Sequence, residues 1–328
     1  MTSRSWWQNK PWPGALAAGA VIAGILAGCR TAPVLVALAG DEIIVAGRRV
    51  HTGTRVITWL EPGGYNAYLS SPPGDKSPGS VNGAATIWSQ HHGVRRGLET
   101  KETPGSKPEL AALQAVVDQF ILHYDGCGLS QVCFDILQRR GLSSHFLLDV
   151  DGTIYQTLDL WECAQHATTA NNRSIGVEIA CIGAYPPGES KPLDEWYRRD
   201  GTDQLVLTVP PRIHAPRVHK PDFTGRPARP AKVRGVVQGR ELEQYDFTPE
   251  QYAALTKLTA ALCRVLPRIR CDYPRDGAGR LIRRKLPDAE LARYRGILGH
   301  FHIQENKVDP GPALQWDELI AGARRWLK

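Results

Sequence analysis

Three segments of this sequence carry side chains that bind metals or move protons. His123 ends the apolar run Phe120-Ile121-Leu122-His123, and Glu178 closes Ser174-Ile175-Gly176-Val177-Glu178. Far downstream, Gly299-His300 precedes Lys307-Val308-Asp309-Pro310-Gly311-Pro312. Imidazoles and carboxylates can hold a divalent cation or serve as general acids and bases, and an amine can stabilise developing negative charge. Singly each segment is weak, because a lone histidine at a strand end is more often a hydrogen-bonded polar residue than a ligand. Their order and surroundings carry the signal. No HExxH helix is present, which argues against a peptidase built on that motif.

These groups need a frame. Ser106-Lys107-Pro108-Glu109 has the capping-box pattern with Pro108 in the first turn, so it predicts a helix in which Leu110, Leu113, Val116 and Val117 share a face. Residues 120–123 then read as a buried strand. A second helix is expected over 131–139, stopped by Gly141, followed by a strand over 144–150, an Asp151-Gly152 turn and a strand over 153–157. Residues 174–181 form another apolar strand. Thr248 caps an amphipathic helix that runs to about 266, and 315–327 forms the closing helix. Alternating helices and strands predict an α/β fold with a mixed central β-sheet flanked by helices. We expect this domain over 108–328, after a β-rich N-terminal extension and linker over 30–107 with strand-like runs at 42–50 and 55–60. Regularity fades between 184 and 245. From 204 to 240 there are eight Lys or Arg against one acidic residue, with six prolines, which reads as an insertion. It is either a solvated loop or a basic lip over an acidic polymer.

The chain has 328 residues and a formal charge of +7, which suits an anionic partner without choosing among nucleic acid, acidic lipid and peptidoglycan carboxylates. Its 24 prolines and 32 glycines predict long loops. Residues 1–29 follow the order of an export signal: Arg4 and Lys10, an apolar stretch over 15–27, then Leu26-Ala27-Gly28-Cys29. The apolar stretch is short of the roughly 20 residues that a permanent membrane helix needs. The tetrapeptide resembles a bacterial lipobox, which implies lipidation of Cys29 and a membrane anchor. Arg30 after it points to the periplasmic face of the outer membrane. Six cysteines remain, and in an exported chain the spacing favours Cys127–Cys133, Cys163–Cys181 and Cys263–Cys271 as disulfides, with small buried hydrophobes as the other reading.

Over about 120–183 and 294–316 the chain resembles the zinc-dependent N-acetylmuramoyl-L-alanine amidases. That family includes phage lysozyme-type amidases, anhydro-muropeptide amidases and peptidoglycan recognition proteins. The resemblance implies that His123, His300 and Asp309 bind one Zn2+. Two imidazoles and a carboxylate leave the fourth tetrahedral position open, as catalytic zinc sites do. A closed structural site would need another ligand, and His302 is the one close candidate. The resemblance further implies Glu178 as general base and then proton donor, and Lys307 as oxyanion stabiliser. It implies His166 and Asn172 as substrate contacts. Ser144 stands where some relatives carry a catalytic Tyr, which leaves that role vacant and places Ser144 in the substrate-binding set. Asp309 replaces the Cys usual in recognition proteins with amidase activity. Cys127 and Cys133 resemble a disulfide of that branch.

The implied function is hydrolysis of the amide between the lactyl group of N-acetylmuramic acid and L-alanine, in peptidoglycan or muropeptides. The alternatives are a non-catalytic peptidoglycan-binding lipoprotein and a metallopeptidase cutting within the stem. Nucleic acid is not an expected partner, because the basic stretch lacks the interleaved aromatics that stack bases.

Overall fold

The computed structural model describes residues 39–69, 91–98, 109–214 and 216–328. The expected export signal, Cys29 and Ser106 to Pro108 lie outside these residues. The first described stretch holds β1 (Glu42–Val45), β2 (Arg48–His51) and β3 (Val56–Thr58), and β4 (His92–Gly93) lies in the second. Next come α1 (Leu110–Val116), β5 (Gln119–Tyr124), α2 (Ser130–Arg139), β6 (Phe146–Leu148), β7 (Ile154–Gln156), β8 (Cys163–Ala164) and β9 (Ser174–Ile179). The region read as irregular holds α3 (Lys191–Trp196), β10 (Tyr197–Arg199), β11 (Leu205–Leu207), β12 (Val233–Val237) and β13 (Arg240–Gln244). The chain closes with α4 (Pro249–Val265), α5 (Asp288–Arg293), β14 (Gly296–Gly299) and α6 (Trp316–Leu327).

The central sheet has six strands in the order β14-β5-β9-β6-β7-β3. Strands β14, β5, β9 and β6 run parallel, β7 returns antiparallel to β6, and β3 pairs parallel with β7. The mixed α/β architecture is therefore the expected one. The N-terminal extension does more than pack on it, since β3 supplies an edge strand.

Strand alternation sorts the side chains by face. Phe120, Leu122, Ile175, Val177 and Ile297 point to one side, where Leu255, Leu258 and Leu262 of α4 and Leu319 and Ile320 of α6 bury them. Ile121 and Leu298 point to the other side with Ile303 and Leu286, and Leu147 and Tyr155 pack there with Phe134 and Leu137 of α2. His123 and Glu178, an odd number of residues from Leu122 and Val177, fall on this second face.

Local differences from the sequence reading have local causes. The run at 42–50 is a hairpin, turned by Ala46 and Gly47, both at positive φ. Helix α1 starts at Leu110 with Glu109 as an extended N-cap and no side-chain cap, and the Ser106 of the expected capping box lies outside the described residues. The box at α4 is complete: Gln251 N donates to Thr248 Oγ1 (3.1 Å), and Thr248 N donates to Gln251 Oε1 (2.9 Å). Thr248 Oγ1 also donates to the Val150 carbonyl at 2.8 Å, tying α4 to the end of the β6 segment. Thr248→Ala should therefore lower stability by about 1–2 kcal/mol in urea denaturation, at an unchanged m value.

Candidate metal and catalytic centre

Parallel pairing places His123 directly opposite Glu178, and Leu122 opposite Gly299. The carboxyl-terminal ends of three neighbouring strands thus deliver His123, Glu178 and His300 to one place. Gly299 allows this: a Cβ there would lie 2.7 Å from Pro310 Cδ, so only glycine lets β14 approach the turn bearing Asp309. The Phe301 amide donates to the Asp309 carbonyl (3.1 Å), fixing both ends of that loop.

Three polar atoms converge. His123 Nδ1 lies 2.9 Å from Asp309 Oδ2, His300 Nδ1 lies 3.0 Å from the same oxygen, and the two nitrogens are 3.0 Å apart. All three residues are buried. The outer nitrogens indicate which tautomers are present. His300 Nε2 is 2.7 Å from Gln304 Oε1, an acceptor, so it carries the proton. His123 Nε2 is 3.0 Å from His166 Nδ1, and His166 Nε2 is 3.2 Å from Ser174 Oγ, a chain that runs outward if each Nε2 donates. Both Nδ1 atoms then present lone pairs to a carboxylate oxygen. Three lone pairs facing one another repel unless a cation lies among them, so the donor set fits a divalent ion such as zinc.

The electrostatics agree. Burial, with the neighbouring His300, pushes His123 down to about 4, which keeps it neutral and able to ligate. Burial alone would raise the Asp309 carboxyl, but the two imidazoles outweigh it and hold the group below the usual carboxylate range. Glu178 is the opposite case. Burial first, then the Asp309 charge, raises its carboxyl well above the ordinary range, with Lys307 opposing. Its Oε1 lies 3.9 Å from His123 Nδ1, beside the centre and outside the triangle. Lys307 is half-buried, and its charge acts on both His123 and Glu178.

His302 cannot add a ligand. Gly299 N donates to its Nδ1 (2.9 Å), and its Nε2 meets the Ile282 carbonyl at 2.6 Å, so both nitrogens are occupied in the wall.

The residues expected to contact substrate take different places in the structure. Ser144 is buried, with a solvent-inaccessible hydroxyl, so it lines no groove. Asn172 lies before β9, at the end of the sheet away from Glu178, where its Oδ1 accepts from Arg96 N at 2.5 Å. His166 orients His123, and both of its nitrogens are engaged. Asn171 shapes the turn that holds it, with Oδ1 accepting from His166 N (3.1 Å) and Ala167 N (2.6 Å).

The six described cysteines are free thiols. Cys133 is hydrogen-bonded to Cys127, and Cys263 to Cys271, so two expected pairs are side by side. Cys163 sits near Arg95 and Glu162, whereas Cys181 accepts from Gln244 Nε2 (3.4 Å) near Asp125. That pair is not brought together, because β8 and the end of β9 lead the two chains to different surroundings.

Sequence reasoning missed Arg95. Its guanidinium is fully buried and donates to the carbonyls of Leu160, Asn171, Asn172 and Ser174, with one nitrogen 3.0 Å from His145 Nε2. Burial lowers it to about 10, still charged. It ties the loop carrying His166 to the start of β9, and His145 Nδ1 in turn accepts from Gly176 N at 3.1 Å.

Fold and site define an α/β protein with a buried three-donor cation centre and a raised carboxyl beside it. The model of the family described as N-acetylmuramoyl-L-alanine amidase (Amidase_2) matches residues 113–312, and the chain belongs to this family. No curated protein matches the chain. Among solved structures it is similar to a selenomethionine derivative of AmpD, at 16% identity over 71% of this chain and 89% of that one, with a TM-score of 0.33. It is also similar to the endolysin amidase LysCS from Clostridium intestinale URNW, at 14% identity over 65% and 86% with a TM-score of 0.34. A third is AmiD from E. coli in complex with anhydro-N-acetylmuramic acid-L-Ala-D-gamma-Glu-L-Lys, at 16% identity over 71% and 65% with a TM-score of 0.35.

The ring of His166 lies flat on Gly176, where a Cβ would meet its Nδ1 at 2.6 Å. Gly176→Ala should displace His166 from His123 and weaken metal binding roughly 10–100-fold, the usual effect of losing a group that orients a ligand. Competition with a chromogenic chelator measures this, and an unchanged affinity would show that His166 does not orient His123.

Proposed function

We propose that this protein is a zinc-dependent N-acetylmuramoyl-L-alanine amidase that cleaves the lactyl–L-alanine amide in peptidoglycan or muropeptides. The observation that carries the reading is the convergence of His123 Nδ1, His300 Nδ1 and Asp309 Oδ2 within 3.0 Å, with Glu178 beside them, inside the segment that matches the family. The bound ion would supply a Lewis acid for the amide carbonyl and lower the pKa of its water to about 7.

The protein's own groups account for the proton and charge movements. Glu178, whose proton affinity is raised by burial and by the Asp309 charge, takes a proton from the attacking water and returns it to the departing alanine nitrogen. Lys307 contributes positive charge where the oxyanion develops. His166 and Gln304 hold the ligating imidazoles in the tautomer that faces the ion, so the geometry needs no reorganisation during turnover.

The purified chain should hold one zinc per molecule by plasma emission spectrometry and release L-Ala peptides from muropeptides, seen by mass. Glu178→Gln should keep the zinc and lose roughly 10²–10⁴-fold in turnover. A shortened stem peptide among the products would indicate a metallopeptidase, and zinc binding without turnover would indicate the non-catalytic binding protein.

The order of residues 1–29 supports export and lipid anchoring at Cys29, placing the enzyme on the periplasmic face of the outer membrane. Metabolic labelling with a fatty acid should mark the chain, and Cys29→Ser should abolish the label. Persistent labelling of that variant would refute the anchor. In an oxidising compartment the adjacent thiols of Cys127 with Cys133 and of Cys263 with Cys271 are suited to disulfide formation.

A further inference from the structure

The amino-terminal ends of the same strands carry a second charged cluster. Arg295, Asp118 and Arg173 immediately precede β14, β5 and β9, and parallel register sets them in one row, because Gly296 pairs with Gln119 and Gln119 with Ser174. Arg268 and Arg270 reach this row from the turn after α4, and Arg293 from the end of α5. Together with Asn172 they line an open cavity of about 590 Å³.

The floor of the cavity is Asp118, a carboxylate only 2% exposed. Arg173 holds it in a two-pronged pair, Nε to Oδ1 at 2.7 Å and a terminal nitrogen to Oδ2 at 2.8 Å, and Arg268 adds a contact at 3.1 Å. Arg173 gives other donors to the carbonyls of Ala292 and Tyr294, and Arg268 to that of Ala115. These two guanidiniums and the carboxylate form a rigid base. Arg295 stands 3.6 Å from Asp118, half-exposed. Arg270 and Arg293 are exposed and have no acidic partner among the described residues. Five guanidiniums thus surround one carboxylate.

We infer that this cavity binds an anion bearing phosphoryl groups. A guanidinium fork matches phosphate oxygens two at a time, and a phosphoryl group brings up to two negative charges and three acceptor oxygens. Such a ligand offsets a charge surplus that Asp118 leaves standing, and Arg270, Arg293 and Arg295 are the donors free to engage it. Asn172, whose amide lines the same cavity, adds a neutral polar wall. The site lies at the end of the sheet away from His123 and Glu178, so an occupant here leaves the catalytic centre open. The inference does not depend on the amidase reading.

The test compares the full chain with a variant carrying both Arg270→Ser and Arg293→Ser. Both residues are exposed and outside the catalytic machinery, so zinc content and turnover of a soluble muropeptide should be unchanged. Calorimetric titration with inorganic pyrophosphate reports a free phosphoryl ligand, and flotation with phosphatidylcholine vesicles, with or without phosphatidylglycerol, reports a lipid headgroup. We expect binding in one arm or both, with a loss of roughly tenfold or more in the variant. Binding to pyrophosphate alone identifies a soluble source, and binding to phosphatidylglycerol vesicles identifies a membrane. No binding in either arm, equal binding by the variant, or displacement of pyrophosphate by an equal concentration of citrate would overturn the phosphoryl assignment.

Discussion

The fold is organised around three lone pairs that point at one another in a buried space. Two imidazole nitrogens and a carboxylate oxygen within 3.0 Å repel in the absence of a proton or a cation, and the outer hydrogen bonds of His300 and His123 direct their protons elsewhere. Such an arrangement survives folding only if the surrounding structure over-determines it. That requirement explains the density of directed contacts behind the centre. Ser174 holds His166, His166 holds His123, Gln304 holds His300, and the Phe301 amide pins the loop that carries Asp309.

The sheet supplies the rest of the constraint. Parallel register brings His123 and Glu178 into one row, and a raised carboxyl beside a low one follows from their placement. Asp309 receives two imidazoles, while Glu178 is equally enclosed and stands outside the triangle. Two carboxylates in one cavity are thereby driven apart in proton affinity, Asp309 downward and Glu178 upward. Arg95 works one layer further back. A buried guanidinium without a carboxylate is costly, and this one is retained where it donates to four main-chain carbonyls beneath the loop that presents His166.

Much of this was legible in the sequence, for reasons that separate local from non-local information. The apolar runs that carry His123 and Glu178 were readable as strands, and Thr248-Pro249-Glu250-Gln251 announced its helix because a capping box is a local contact. Arg95 gave no such signal, since its partners lie 50 to 79 residues away in the chain. The run at 55–60 was readable as a strand, but nothing within it says that β3 joins the catalytic sheet. The β12–β13 hairpin was hidden among prolines, although Gln238-Gly239, both at positive φ, is a tight-turn pair. Ser144 and Asn172 carried no local signal of depth or of strand end: the first is buried, and the second lies before β9, at the end of the sheet away from Glu178.

The direction of the strands gives the two ends of the sheet different chemistry. At the carboxyl ends the chain turns tightly, through Gly299 and the 300–302 turn, and buries the imidazoles of His123 and His300. At the amino ends Arg295, Asp118 and Arg173 sit just before the strands begin, where solvent reaches Arg295 and part of Arg173 and a surplus of cations costs little. A buried cluster of three converging donors and an open cavity rich in guanidiniums are thus kept at opposite ends of the sheet. The wet guanidiniums would compete for Asp309 and draw it away from the imidazoles. Separation along β5 and β9, one end dry and the other wet, lets the same three strands carry both.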